Sequence, residues 1–189
     1  MRFPGWLPIL AFAAFGFANQ EPRQQSREDA QTFSMFAAHV REYVKMQKDL
    51  ESSSSPAAGK STRDSEQIAD RQHELARRIA ATRRGARQGD IFTHEVAKEF
   101  EKIIRKAFKE PGGRNMRRTI QEDGPVKPTV LHVNDVYPEA ISRTTMPPTL
   151  LRQLPDLPNE LAYRIIGRAL ALQDIKANLI VDFIPNAIP

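Results

Sequence analysis

The chain contains no cysteine. Disulfides and thiolate metal sites are excluded, so packing and noncovalent polar contacts alone must hold the fold. A bacterial lipid anchor on a cysteine behind an export signal is excluded for the same reason. Glycine is scarce, nine in 189 residues, and no phosphate-cradling loop is present. Gly85-x-x-x-Gly89 lacks the following Lys-Ser/Thr and trails a helix rather than a strand. No Gly-x-Ser-x-Gly elbow occurs, which removes the commonest setting for a nucleophilic serine. Ser52 to Ser55 sit in a linker, where nothing would orient a base. Aromatics make up 7% of the chain, and ten of the fourteen are Phe. Few flank the basic residues, so stacking on single-stranded nucleic acid is unsupported. No run after residue 20 is long enough to span a bilayer, which takes about 20 apolar residues.

Four histidines are present, His39, His73, His94 and His132, each on a different expected element. His73-Glu74 and His94-Glu95 both begin like a His-Glu-x-x-His zinc helix. Neither has the second imidazole one turn on, which zinc hydrolysis needs. No metal and no cofactor is expected. Asp64, Asp70 and Glu74 are read as salt-bridge partners of Arg71, Arg77 and Arg78 on one helix face.

The first twenty residues, MRFPGWLPILAFAAFGFANQ, have the layout of a secretory signal. Arg2 gives a positive start, Trp6 to Phe17 an apolar core, and Gly16-Phe17-Ala18 small residues at a cleavage site. Residues 1–18 are expected to be removed, leaving an exported protein of the periplasm or the extracellular space. A net charge of +5 then faces acidic envelope material or solvent, and no nucleic acid is expected.

Behind the signal, residues 19–51 carry Phe33, Phe36, Ala37, Val40, Val44 and Leu50 at steps of three and four. That spacing predicts an amphipathic helix of about 20 residues following a loose polar lead. Residues 52–64 read as a flexible Ser-rich linker. Residues 65–110 hold two more helices. One is expected from Ser65 to Arg87 with an apolar stripe of Ile68, Leu75, Ile79 and Ala86. The other runs from His94 to Lys109, capped by Thr93 and stopped by Pro111-Gly112-Gly113. Residues 111–189 form a Pro-rich segment and a C-terminal β-meander. Thr129 to Val133 reads as a strand, Asn134-Asp135 as a turn, and Pro147 to Leu154 as a helical turn or two. The closing residues from Tyr163 to Ile184 predict three antiparallel strands, with turns at Gly167-Arg168 and Lys176-Ala177-Asn178. The fold expected is α+β, N-terminal amphipathic helices packed with a small C-terminal antiparallel sheet.

Four stretches carry a resemblance. Arg84 to Val96 (RGARQGDIFTHEV), Pro147 to Pro158 (PPTLLRQLPDLP), Tyr163 to Arg168 (YRIIGR) and Asp174 to Ile184 (DIKANLIVDFI) resemble segments of uncharacterised exported proteins of soil bacteria, acidobacteria especially. That resemblance covers most of the mature chain and implies no activity. Leu154 to Ile184 is more weakly similar to periplasmic proteins of the nickel and cobalt homeostasis type, which implies a small β-module of the envelope. That stretch has neither His nor Cys, so metal handling is left without ligands.

Charge is uneven. From Arg63 to Arg118 there are 15 Lys or Arg against nine Asp or Glu. Arg77, Arg78, Arg83, Arg84 and Arg87 form one group and Arg114, Arg117 and Arg118 a second. The first group is the candidate contact for an anionic envelope surface or a protein partner, against the simpler reading of a solvated helix face, and the Pro-rich segment from Met146 to Pro158 is a second candidate contact, against that of a plain spacer. A non-enzymatic binding module is favoured. The alternatives are a small enzyme with Arg87, Asp90, His94 and Glu95 around the 87–95 loop, and a structural protein forming a homo-oligomer through the 33–50 helix.

Overall fold

The computed structural model describes residues 21–53, 65–123, 130–137 and 146–189. The expected signal peptide, most of the 52–64 linker and part of the Pro-rich segment lie outside the described residues. Among the described residues the elements are α1 (Glu21–Ser52), α2 (Ser65–Thr82), α3 (His94–Lys109), α4 (Gly113–Asp123), α5 (Pro148–Leu151), β1 (Leu161–Ile166), β2 (Ala169–Asp174) and β3 (Leu179–Ile184). The architecture is α+β: helices first, then one antiparallel sheet in the order β1-β2-β3.

The helices form where apolar residues recur once per turn. α1 buries Phe36, Val40, Tyr43, Val44 and Gln47 along one face. It starts at Glu21, inside the stretch 19–29 expected to be a loose polar lead. Residues 21–29 contain good helix formers and no breaker beyond Pro22, which is harmless in a first turn. α2 ends at Thr82, not Arg87, and its buried stripe starts only at Leu75, with Ile68 60% exposed. α3 matches its expected bounds. Thr93 accepts the Val96 amide at 3.4 Å, and Val96, Phe100, Ile104 and Ala107 point inward.

α4 is not among the expected helices. The Pro111-Gly112 turn that stops α3 also starts α4, through Gly113 N–H to Glu110 O at 2.9 Å and Met116 N–H to Gly112 O at 3.1 Å. Only Met116 and Ile120, one turn apart, anchor its buried side, so its apolar pattern is short. Gly113 is required there, because a Cβ would lie 2.0 Å from the Phe108 carbonyl oxygen.

The meander forms as expected. Gly167 (φ 58°) makes the first turn and Asn178 (φ 53°) the second, both in the left-handed region. β2 is buried on both faces. Leu170 and Leu172 join the main core with the helices, while Ala171 packs with Tyr137, Ile166 and Ile180 in a second cluster. The expected strand over residues 129–133 is absent from its described part, residues 130–133. Residues 134–137 instead lie along β3, with Asn134 N–H to Ile180 O and Tyr137 N–H to Asn178 O at 2.8 and 2.7 Å, and Val136 bridging Leu179. That segment, with Leu131, covers the far face of the sheet.

Phe100 sits where the layers meet. Its ring centroid is 5.1 Å from Phe36, 5.2 Å from Phe92 and 5.8 Å from Tyr163. One side chain thus joins α1, the 87–92 loop, α3 and β1.

Candidate functional site

Two buried carboxylates and a half-buried arginine are the first candidates for chemistry. Asp182, in the middle of β3, is fully buried. Its carboxylate accepts four backbone N–H groups: Gly89 at 2.9 Å, and Ile91, Phe92 and Phe183 at 2.8 Å each. Three of the four come from the loop between α2 and α3. The loop takes its shape around this carboxylate, with Gly89 at φ 95°.

Asp174, at the end of β2, is also fully buried. It accepts the Tyr43 hydroxyl at 2.8 Å, the Ala177 amide at 2.8 Å and the Gln47 side-chain amide at 3.4 Å. Burial raises its pKa above the ordinary carboxylate value, and the Ala177 and Tyr43 hydrogen bonds offset part of the rise. Burial and the Asp174 charge together push the Tyr43 hydroxyl well above the usual phenol range. This pair therefore holds α1 on the sheet.

Arg83 is the third. Its guanidinium donates to Asn134 Oδ1 at 3.0 Å and Val181 O at 3.2 Å, and lies 5.1 Å from the Tyr43 ring centroid. Asn134 returns a bond to Arg83 O at 3.0 Å. Burial lowers the Arg83 pKa, opposed by the nearby charges of Tyr43, Asp182 and Asp90. Arg83 thereby ties the end of α2, the 134–137 segment and β3 together.

The five arginines expected to meet an anionic surface do not share one role. Arg77 is exposed and ion-paired with Glu74 on its own helix. Arg78 donates to Leu50 O at 2.6 Å and Ser53 Oγ at 2.7 Å, fastening α2 to the end of α1. Arg83 is engaged as above. Arg84 and Arg87 are exposed, without a side-chain hydrogen bond to a described residue.

The 87–95 loop does not gather Arg87, Asp90, His94 and Glu95 into a cleft. All four are exposed. Asp90 accepts the Arg87 amide at 2.9 Å, and Glu95 is held below its ordinary pKa by its own amide and Thr93 at the start of α3. Asp90 does line an open cavity of about 300 Å³ with His39, Glu42, Tyr43, Met46, Thr82, Arg83 and Ile91. His39 Nδ1 is buried there with no hydrogen-bond partner among the described residues. A second, larger groove of about 620 Å³ runs between α2 and the 134–136 segment, past His73, Arg77, Ala80, Val136 and Leu179.

Among the described residues, no group of three His, Asp or Glu side chains is placed to hold a metal ion, and no helix is long and apolar enough to cross a membrane. The four histidines lie on separate elements, His132 bonded to Asp135 at 3.0 Å. Asp174, Asp182 and Asn134 were not among the expected site residues. One signal for Asp182 was available: a lone carboxylate inside Leu179-Ile-Val-Asp-Phe-Ile184 must find donors if that strand is buried. No family model, curated protein or solved structure matches the chain.

Proposed function

We propose that this chain is an exported, non-enzymatic interaction module of the cell envelope. One observation carries the reading. The buried Asp174, Asp182 and Tyr43 and the half-buried Arg83 are engaged with one another, with Asn134 or with backbone, and they clamp helices to sheet. What the body offers a partner is its charged surface. The signal-like residues 1–18, outside the described residues, and the resemblance to exported soil-bacterial proteins supply the location.

The test is intact-mass measurement of the chain recovered from fractionated cells. A species starting at Asn19 in the envelope fraction is expected. A full-length chain in the cytoplasm overturns the reading.

A second reading, a small enzyme, has one observation in its favour: the cavity where His39, Glu42, Asp90 and Arg83 meet. Chemical-shift perturbation of the His39 imidazole across a panel of small metabolites tests it. Saturable shifts at His39 favour the enzyme, and a silent imidazole removes it.

A further inference from the structure

Resting on the module reading, we infer that the α3–α4 corner docks the protein on an anionic phospholipid surface. Residues 105–118 carry six Lys or Arg against one Glu, a net +5 that equals the charge of the whole chain. The fold concentrates this charge further. The Pro111-Gly112 turn doubles α4 back at Phe108, where Gly113 lies against the Phe108 backbone and the Arg117 guanidinium stands 5.6 Å from the Phe108 ring centroid. Lys106 and Lys109 from α3 therefore join Arg114, Arg117 and Arg118 from α4 on one corner, all five exposed. Little internal charge answers them. Among the described residues, Arg118 has a distant Glu122 at 3.9 Å, and Lys106, Lys109 and Arg114 have no ion pair.

The corner also has an apolar element. Leu151 on α5 is 46% exposed. α5 packs against α3, and Gln153 reaches Glu110 at 3.4 Å, which brings the α5 segment to the end of α3 that carries Lys106 and Lys109. A membrane interface rewards cations around an insertable Leu. Duplex phosphates reward the cations alone. Arg77, Arg78, Arg83, Arg84 and Arg87 fit less well, since three of the five already have partners within the fold.

Each Lys or Arg held near an anionic bilayer is worth about fivefold in affinity at moderate salt. Losing three should therefore weaken binding roughly 100-fold. The experiment is vesicle co-sedimentation of the protein as purified from its host. It compares phosphatidylcholine vesicles with and without phosphatidylglycerol, and duplex DNA as a competing polyanion. The variants are R114Q/R117Q/R118Q, R84Q/R87Q and L151S, each checked for folding by circular dichroism.

Binding only to the phosphatidylglycerol vesicles, lost in the triple variant, weakened in L151S and kept in R84Q/R87Q, is the expected result. Equal binding to both vesicle types overturns it, as retained apolar residues at the N-terminus would produce. So does equal loss in R84Q/R87Q, or no binding by folded wild type. Preference for duplex DNA with no effect of L151S makes the corner a general polyanion site and overturns the lipid assignment. An exported chain that ignores vesicles leaves the module reading standing, and a chain that stays in the cytoplasm fails that reading whatever the vesicles show.

Discussion

Replacing Asp182 by Asn keeps the shape of the side chain and should nevertheless be severe. The carboxylate is fully buried and all four of its partners are backbone N–H donors. A backbone amide cannot turn round to accept. Whichever way the Asn amide is placed, its NH2 group faces two of those donors, either Gly89 and Phe183 or Ile91 and Phe92. Two buried N–H groups then lose their acceptor at about 1–3 kcal/mol each, and the remaining two bonds lose their charge assistance. The expected loss is about 4 kcal/mol. For a chain of this length that lowers Tm by roughly 8–16 °C. Asp174 supplies the control, being equally buried but with different partners. The Tyr43 hydroxyl can rotate to accept from an Asn NH2, while Oδ1 keeps the Ala177 and Gln47 bonds. Asp174→Asn should therefore cost less than about 1 kcal/mol at neutral pH. Urea unfolding followed by circular dichroism measures both. A D182N variant within about 1 kcal/mol of wild type, or a D174N variant as damaged as D182N, refutes the donor argument.

The same two chains differ in pH response. Burial raises the folded-state pKa of Asp174 above its unfolded value near 3.9, so the folded state binds the extra proton. Wild-type stability should then fall relative to D174N as pH rises from about 4 through that raised pKa, and unfolding titrations that run parallel would contradict it. Gly113→Ala should cost about 3 kcal/mol or more, because its Cβ meets the Phe108 backbone. Gly85→Ala, with nothing within 4 Å, should be neutral or stabilise by up to about 1 kcal/mol in thermal melts. Phe100→Ala should lose about 3–5 kcal/mol and expose Phe36, Phe92 and Tyr163 together, read by near-ultraviolet circular dichroism. Arg83→Lys cannot span Asn134 and Val181 with a single ammonium, so the amides of Asn134, Tyr137 and Ile180 should exchange about 30-fold faster while α3 amides hold.

The parts of the fold legible in the sequence are those with a local cause. α3 shows an N-cap, four inward residues at helical spacing and a Pro-Gly stop, and its bounds emerge as read. The meander shows turn residues at both corners, and Gly167 and Asn178 adopt the positive φ that those turns need. Elements set by distant partners were harder to see. α4 has only Met116 and Ile120 facing inward, and it exists because α3 offers a surface to cover. Residues 130–133 have strand-like composition, yet pairing falls at 134–137, where Asn134 is fixed by Arg83 from 51 residues away. The first arginine group reads as one basic cluster along the chain. In space it divides, because Arg78 and Arg83 turn inward to carbonyls at the end of α1 and on β3.

The strand carrying Asp182 shows how a carboxylate came to be buried with backbone N–H groups as its partners. Pairing between β2 and β3 shifts at Leu172/Gln173, so that Leu172 opposes Asp182 and Gln173 opposes Ile180, with Val181 left over as a bulge. Strict alternation would place Asp182 on the same face as Ile180, against the apolar cluster of Tyr137, Ile166 and Ala171. The extra residue instead turns Asp182 to the face of Leu172, where the 87–92 loop presents its N–H groups. A bulge often re-aims a side chain at a ligand. Here it re-aims a carboxylate at the protein's own backbone. With no cysteine to cross-link loop and sheet, apolar packing alone would bring α2, α3 and β3 together without fixing their register, because hydrophobic contact is non-directional. Asp182, Arg83 and Asp174 supply the directional contacts at three separate junctions.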